Sequence, residues 1–183
     1  MKTLVIHPAD QSTDFLCPIY KDIENKTVIK GGISKKELLK EVKSHDRIMM
    51  LGHGSPIGLF AVGQFKQEHY MSYIIDNTFV PALKNKDNVF IWCFANQFVE
   101  QYGLSGFYSG MFISEVQEAN LYNYKVSQET ITYSNDNFSK IVGQNISKAS
   151  EHIYKIVTAE YGKLKNNNPI IKYNNERLNY KTT

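Results

Sequence analysis

The sequence predicts an α/β fold in three layers, with a mostly parallel central sheet and helices on both faces. Three observations predict it. Short apolar runs alternate along the chain with segments of helical periodicity. Two of those runs, Ile48–Leu51 and Val89–Trp92, are apolar throughout, the pattern of strands buried on both faces. The interval between them is long enough for the crossover that parallel neighbours require.

Taken in order, Thr3–Ile6 is a short strand ended by Pro8. Asp10-Gln-Ser-Thr-Asp14 is a loop or helix-cap cluster, and Phe15–Ile23 is helical in pattern despite Pro18. Lys26–Ile29 is a second strand, closed by Gly31-Gly32. Ser34-Lys-Lys-Glu37 is a capping box that opens a helix to about His45, with Leu38, Leu39 and Val42 on one face. After the third strand, Gly58–Phe65 suggests a small hairpin and Tyr70–Leu83 a helix. Asn85-Lys-Asp-Asn88 turns into the fourth strand. A short helix over Gln97–Gln101 ends at Gly103, Met111–Ser114 is a fifth strand and Thr130–Tyr133 a sixth. From Ser134, the apolar spacing Phe138, Ile141, Val142, Ile146, Ile153, Ile156, Val157 predicts one long helix, bent at Gly143 and ended at Gly162. Residues 1–165 form the α/β domain, and 166–183 form a basic, Asn-rich extension in which Ile170–Tyr173 and Arg177–Tyr180 flank Asn174-Asn175 as a hairpin.

The chain has 183 residues, enough for one domain, and 42% of them are hydrophobic, enough for a core. Its two cysteines do not make a disulfide framework, and their spacing fits no zinc pattern. No metal or other cofactor is expected. The apolar run at the N-terminus is too short for a signal peptide and nothing later is long enough to span a bilayer, so a reducing cytoplasm is the expected setting. The net charge of +3 resides in the tail, where Lys163, Lys165, Lys172, Arg177 and Lys181 face the single acid Glu176. No aromatic–basic motif accompanies them, which argues against a nucleic-acid partner.

Ligands of open α/β sheets bind at the carboxyl ends of the strands. Here those ends carry reactive side chains: Arg47-Ile-Met-Met-Leu-Gly-His53-Gly54-Ser55 and Asn88-Val-Phe-Ile-Trp-Cys93. If the two strands are parallel neighbours, a thiol and an imidazole share one edge, as nucleophile and base. The N–H groups of Gly54 and Cys93 are then the candidate oxyanion donors. Asp10, Ser55 and Glu115 lie on the same rim as candidate substrate contacts. His7 reads as a structural strand-end histidine, with a third rim group as the alternative. Cys17, beside Pro18, and Trp92 read as packing residues; His45 suits a helix end, and His69 and His152 helix surfaces. Gly52-His-Gly-Ser-Pro-Ile-Gly58 falls short of a dinucleotide fingerprint, because its third glycine is displaced and a hairpin follows.

The two strand ends resemble those of the caspase-like cysteine peptidases, the group of caspases, metacaspases, legumain, gingipain and clostripain. In that group one apolar strand ends in His-Gly and the next core strand ends in Cys, and the resemblance covers roughly residues 1–120. It implies a caspase-like fold, a His53–Cys93 dyad and a protein or peptide substrate. The chain departs from the group before the cysteine, where Ile91 and Trp92 replace the usual polar residue of the specificity pocket. That departure motivates the alternative of an inactive module that binds a protein partner or small regulatory ligand in the same cleft.

Overall fold

The computed structural model describes residues 1–61 and 73–182. Its framework is a six-stranded sheet in the order β2-β1-β3-β7-β8-β9. These strands are β1 (Thr3–Ile6), β2 (Lys26–Ile29), β3 (Arg47–Leu51), β7 (Asp87–Ile91), β8 (Gly106–Ser109) and β9 (Leu178–Lys181). All pair in parallel except β9, which runs antiparallel to β8. A second sheet of β4 (Gly54–Ser55), β5 (Gly58–Phe60) and β6 (Tyr73–Ile75) projects from the end of β3.

The continuous apolar runs serve two cores at once. Side chains alternate across a strand. Leu4, Ile6, Ile48, Met50 and Phe90 therefore face one side, with Leu38 and Val42 of α2 (Lys35–Ser44), Leu83 of α3 (Val80–Leu83) and Phe98 of α4 (Ala95–Tyr102). Val5, Met49, Leu51, Val89 and Ile91 face the other, with Ile19 of α1 (Cys17–Tyr20) and with α6 (Gln128–Asn145) and α7 (Ser150–Gly162), which contribute Phe138, Val142, Ile153 and Val157. The fold is thus α/β, a mostly parallel sheet with helices on both faces. The remaining α-helices described are α5 (Val116–Leu121) and α8 (Pro169–Asn175).

The Ser34 capping box forms as expected, with Ser34 Oγ accepting from Glu37 N at 3.3 Å and Glu37 accepting from Ser34 N at 3.0 Å. Other expectations are corrected. The fifth strand is Gly106–Ser109; Phe112 and Ile113 are apolar because a loop carries them into two hydrophobic clusters. Thr130–Tyr133 lies in the first turns of α6, capped by the Ser127 hydroxyl, so a local cap overrides its β-branched composition. The segment 73–83 is a strand followed by a 3-10 turn and a one-turn helix rather than a long helix. The hairpin begins earlier than expected, across Pro56-Ile57; residues 62–65 of the expected hairpin and 66–72, with His69, lie outside the described residues. The long helix breaks after Asn145, not at Gly143. A Cβ at Gly143 would stand 2.7 Å from the Pro18 carbonyl, so this glycine lets α6 approach α1 closely.

The tail is also reassigned. Asn168 accepts from Ile170 N and Ile171 N, and with Pro169 at the first position it starts a helix where a strand was expected. Asn174 is fully buried and exchanges hydrogen bonds with the backbone of Ile113 at 2.8 and 2.9 Å. Leu178–Lys181 then adds the outer strand of the sheet, so residues 166–182 are built into the domain.

Arg47, fully buried at the start of β3, ties the opposite edge together. Its Nε donates to Asp87 at 2.7 Å, and its terminal nitrogens reach Asp87 and the carbonyls of Ile146 and Lys148 in the α6–α7 turn. Asp87 also accepts from Ser150 N, the first residue of α7, at 3.1 Å. Arg47→Ala removes the cation beside that carboxylate and the donors to those carbonyls, and is expected to destabilise the fold by about 3 kcal/mol in urea unfolding.

Candidate active site

Register brings the two predicted residues to one level. Leu51 of β3 pairs with Ile91 of β7, and Gly52 N donates to the Ile91 carbonyl at 3.1 Å. His53 and Cys93 each follow two residues beyond that pair. Both line one cleft with Thr13, Phe15, Ile91 and Phe112.

Trp92 joins the two strand ends. Its indole, 1% exposed, packs edge-on against Phe90 and Phe98 and donates from Nε1 to the Ser55 carbonyl at 3.1 Å. A Cβ at Gly54 would lie 2.2 Å from Trp92 Cδ1 and 2.7 Å from the Gly58 carbonyl oxygen. Gly54 therefore has a packing requirement of its own, which the sequence did not reveal. Ser55 is occupied as a turn residue: its Oγ bonds Tyr73 Oη at 3.0 Å and accepts from Ile57 N at 3.1 Å.

Beyond Cys93 the chain turns sharply. Phe94 adopts a left-handed conformation, φ 67°, and its N–H donates to Gly110 at 3.1 Å as α4 begins. A bulky residue in that region is strained, and such strain concentrates at functional sites. The Cys93 N–H makes no hydrogen bond among the described residues. It has the availability that an oxyanion donor needs.

In this form the two reactive groups bond elsewhere. Cys93 Sγ donates to the Phe112 carbonyl at 3.5 Å. His53 Nε2 lies 2.6 Å from Ser12 Oγ, and Ser12 Oγ donates to Asp10 Oδ1 at 2.7 Å. Ser12 was absent from the sequence-based set; its only signal was its place in the Asp10–Asp14 cap cluster. Asp10 thus faces Ser12, and sits below the usual carboxylate range chiefly because of that hydroxyl. Burial pushes the Cys93 thiol up to about 12, and the Glu118 and Glu115 carboxylates add to the rise. Glu115 is the N-cap of α5, and Glu118 accepts from Ser114 N at 2.7 Å and Glu115 N at 3.2 Å. The Cys93 thiol is therefore neutral at ordinary pH.

The cleft holds about 20 Å³, room for about one water molecule. Phe15 and Phe112 stack at 6.3 Å across it with their rings 12° apart, and Phe112 leans on Phe138 at 4.7 Å. His7 is a structural pin. It is buried, with Nδ1 2.9 Å from Tyr20 Oη and Nε2 3.1 Å from Thr13 Oγ1, and burial together with Lys30 lowers it to about 4. Cys17 Sγ, half-buried, meets the same Tyr20 hydroxyl at 3.3 Å. Among the described residues no cluster of acids, histidines or cysteines is arranged to hold a metal, and no helix is long and apolar enough to cross a membrane.

Neither protein-family models nor curated proteins match this chain.

Two outcomes follow from this geometry. Removing the stacked ring in Phe15→Ala opens the cleft, so iodoacetamide labels Cys93 severalfold faster than in the parent, read by mass spectrometry of the Cys93 peptide. His7 is neutral in the fold, and its folded value of about 4 lies below the unfolded 6.5. Its contribution is thus present above the unfolded value and lost as pH falls through that window, up to about 3 kcal/mol. His7→Gln is expected to flatten the pH dependence of unfolding free energy between those two values.

Proposed function

We propose that this chain is a caspase-like cysteine peptidase that hydrolyses peptide bonds through Cys93 and His53. The observation that carries the reading is the β3–β7 register, which sets the imidazole and the thiol two residues past one paired level and in one cleft. The protonated thiol dictates the order of events. His53 removes the Cys93 proton as sulfur attacks the carbonyl carbon, and the carbonyl electrons move to oxygen. The Cys93 and Gly54 N–H groups receive that oxyanion. Collapse breaks the C–N bond, the imidazolium protonates the departing amine, and water hydrolyses the thioester. Substrate binding displaces Phe15 from Phe112 and so widens a site that is narrow in the resting form.

A peptidyl acyloxymethyl ketone library, presenting varied side chains before the electrophile, tests this directly. Modification at Cys93 is expected, lowered at least about 100-fold in His53→Ala. A library that leaves Cys93 unmodified in both the parent and Phe15→Ala rules the peptidase out.

The narrow cleft and the raised thiol also favour a second reading, a non-catalytic module that binds a protein or small regulatory ligand there. It expects Cys93→Ser to keep full cellular activity, which the peptidase reading forbids.

A further inference from the structure

We propose that Asp10 and Ser12 are positioning residues for His53: the Asp10 carboxylate anchors the Ser12 hydroxyl, which accepts the Nε2 proton of His53 and leaves Nδ1 as the nitrogen that takes the Cys93 proton. The last step rests on the peptidase reading; the tautomer does not.

A count of protons gives the assignment. Ser12 has one hydroxyl proton and two close partners, Asp10 Oδ1 at 2.7 Å and His53 Nε2 at 2.6 Å. An ionised carboxylate only accepts, so the hydroxyl proton is committed to Asp10. The contact to His53 then needs a proton of its own, and Nε2–H supplies it. The reverse arrangement would set Ser12 Oγ and Asp10 Oδ1 together with no proton between them unless Asp10 were neutral. The Ser12 hydroxyl itself holds Asp10 in its ionised form. His53 Nδ1 makes no hydrogen bond among the described residues, so it is the ring nitrogen left bare.

The anchor is built to stay in place. Asp10 Oδ1 also accepts from Ser12 N at 2.9 Å, which fixes the serine backbone. Thr13 Oγ1 donates to the Asp10 carbonyl at 3.0 Å and is itself held by buried His7. The segment leaves β1 and the histidine leaves β3, on either side of the point where the sheet order reverses. Chains diverge there and leave the crevice in which α/β proteins bind their ligands. The Asp10–Ser12–His53 chain spans that crevice, and an Asx turn needing only to cap its own 3-10 turn has no use for His53.

Nitrogen NMR of ¹⁵N-histidine protein at about pH 8, where ordinary imidazole is neutral, reads the tautomer. His53 is expected as Nε2–H in the parent and in Ser12→Thr, which keeps a hydroxyl, and as a mixture of tautomers in Ser12→Ala. Modification of Cys93 by the peptidyl ketone is expected to fall about tenfold in Ser12→Ala and to recover in Ser12→Thr. An Nδ1–H tautomer in the parent, or an unchanged tautomer in Ser12→Ala, overturns the proposal. A tautomer that follows Ser12 while Cys93 reacts at one rate in all three proteins overturns the base assignment and leaves the anchoring of His53 intact. A Cys93 that no ketone modifies sinks the peptidase reading alone.

Discussion

Parallel pairing of β3 with β7 is the constraint from which the site follows. Five consecutive residue pairs, Arg47↔Asp87 to Leu51↔Ile91, fix both ends of the two strands. At the entering edge the first pair is also an ion pair, and Arg47 extends it to the turn between α6 and α7. At the leaving edge the same register sets His53 level with Cys93. A slip of one residue would turn every core side chain of a strand to the wrong face. Because both faces of these strands are buried, the two cores on either side hold the register and, through it, the reactive edge.

That edge is shaped by packing as much as by chemistry. Trp92 fills the core under α4, takes the Ser55 carbonyl and leaves no space for a side chain at Gly54. It thereby holds the loop that bears His53 against the strand that bears Cys93. The residue that interrupts the resemblance to caspase-like peptidases is, in this chain, the fastener between its two strand ends. Phe15 and Phe112, the latter backed by Phe138, narrow the cleft, and burial with two nearby glutamates keeps the thiol protonated. The result is a narrow cleft with a protonated thiol at its edge.

Legibility followed the range of the interactions. Strands β1, β2, β3 and β7 and the Ser34-capped helix were readable because their signals are local: apolar runs, glycine stops and a capping box. The tail departs from its local signals because Asn174, a turn former by composition, is buried against the backbone of Ile113, 61 positions away. Thr130–Tyr133 is β-branched in composition yet helical, because the Ser127 hydroxyl caps the helix that contains it. In the site, His53 and Cys93 were visible as reactive residues at strand ends, whereas Ser12 is an ordinary polar residue until the fold sets it 2.6 Å from an imidazole 41 positions on.

The sequence by itself determined the α/β class and the two strand ends that carry the imidazole and the thiol, since residue type and period are properties of neighbours along the chain. The tertiary structure decided the rest: that β3 and β7 are adjacent, that the cleft at their ends is narrow, that the thiol stays neutral, and that Asp10 reaches His53 through Ser12. Each of these depends on atoms distant in sequence meeting at a few ångströms, where burial and hydrogen-bond geometry set charge and orientation.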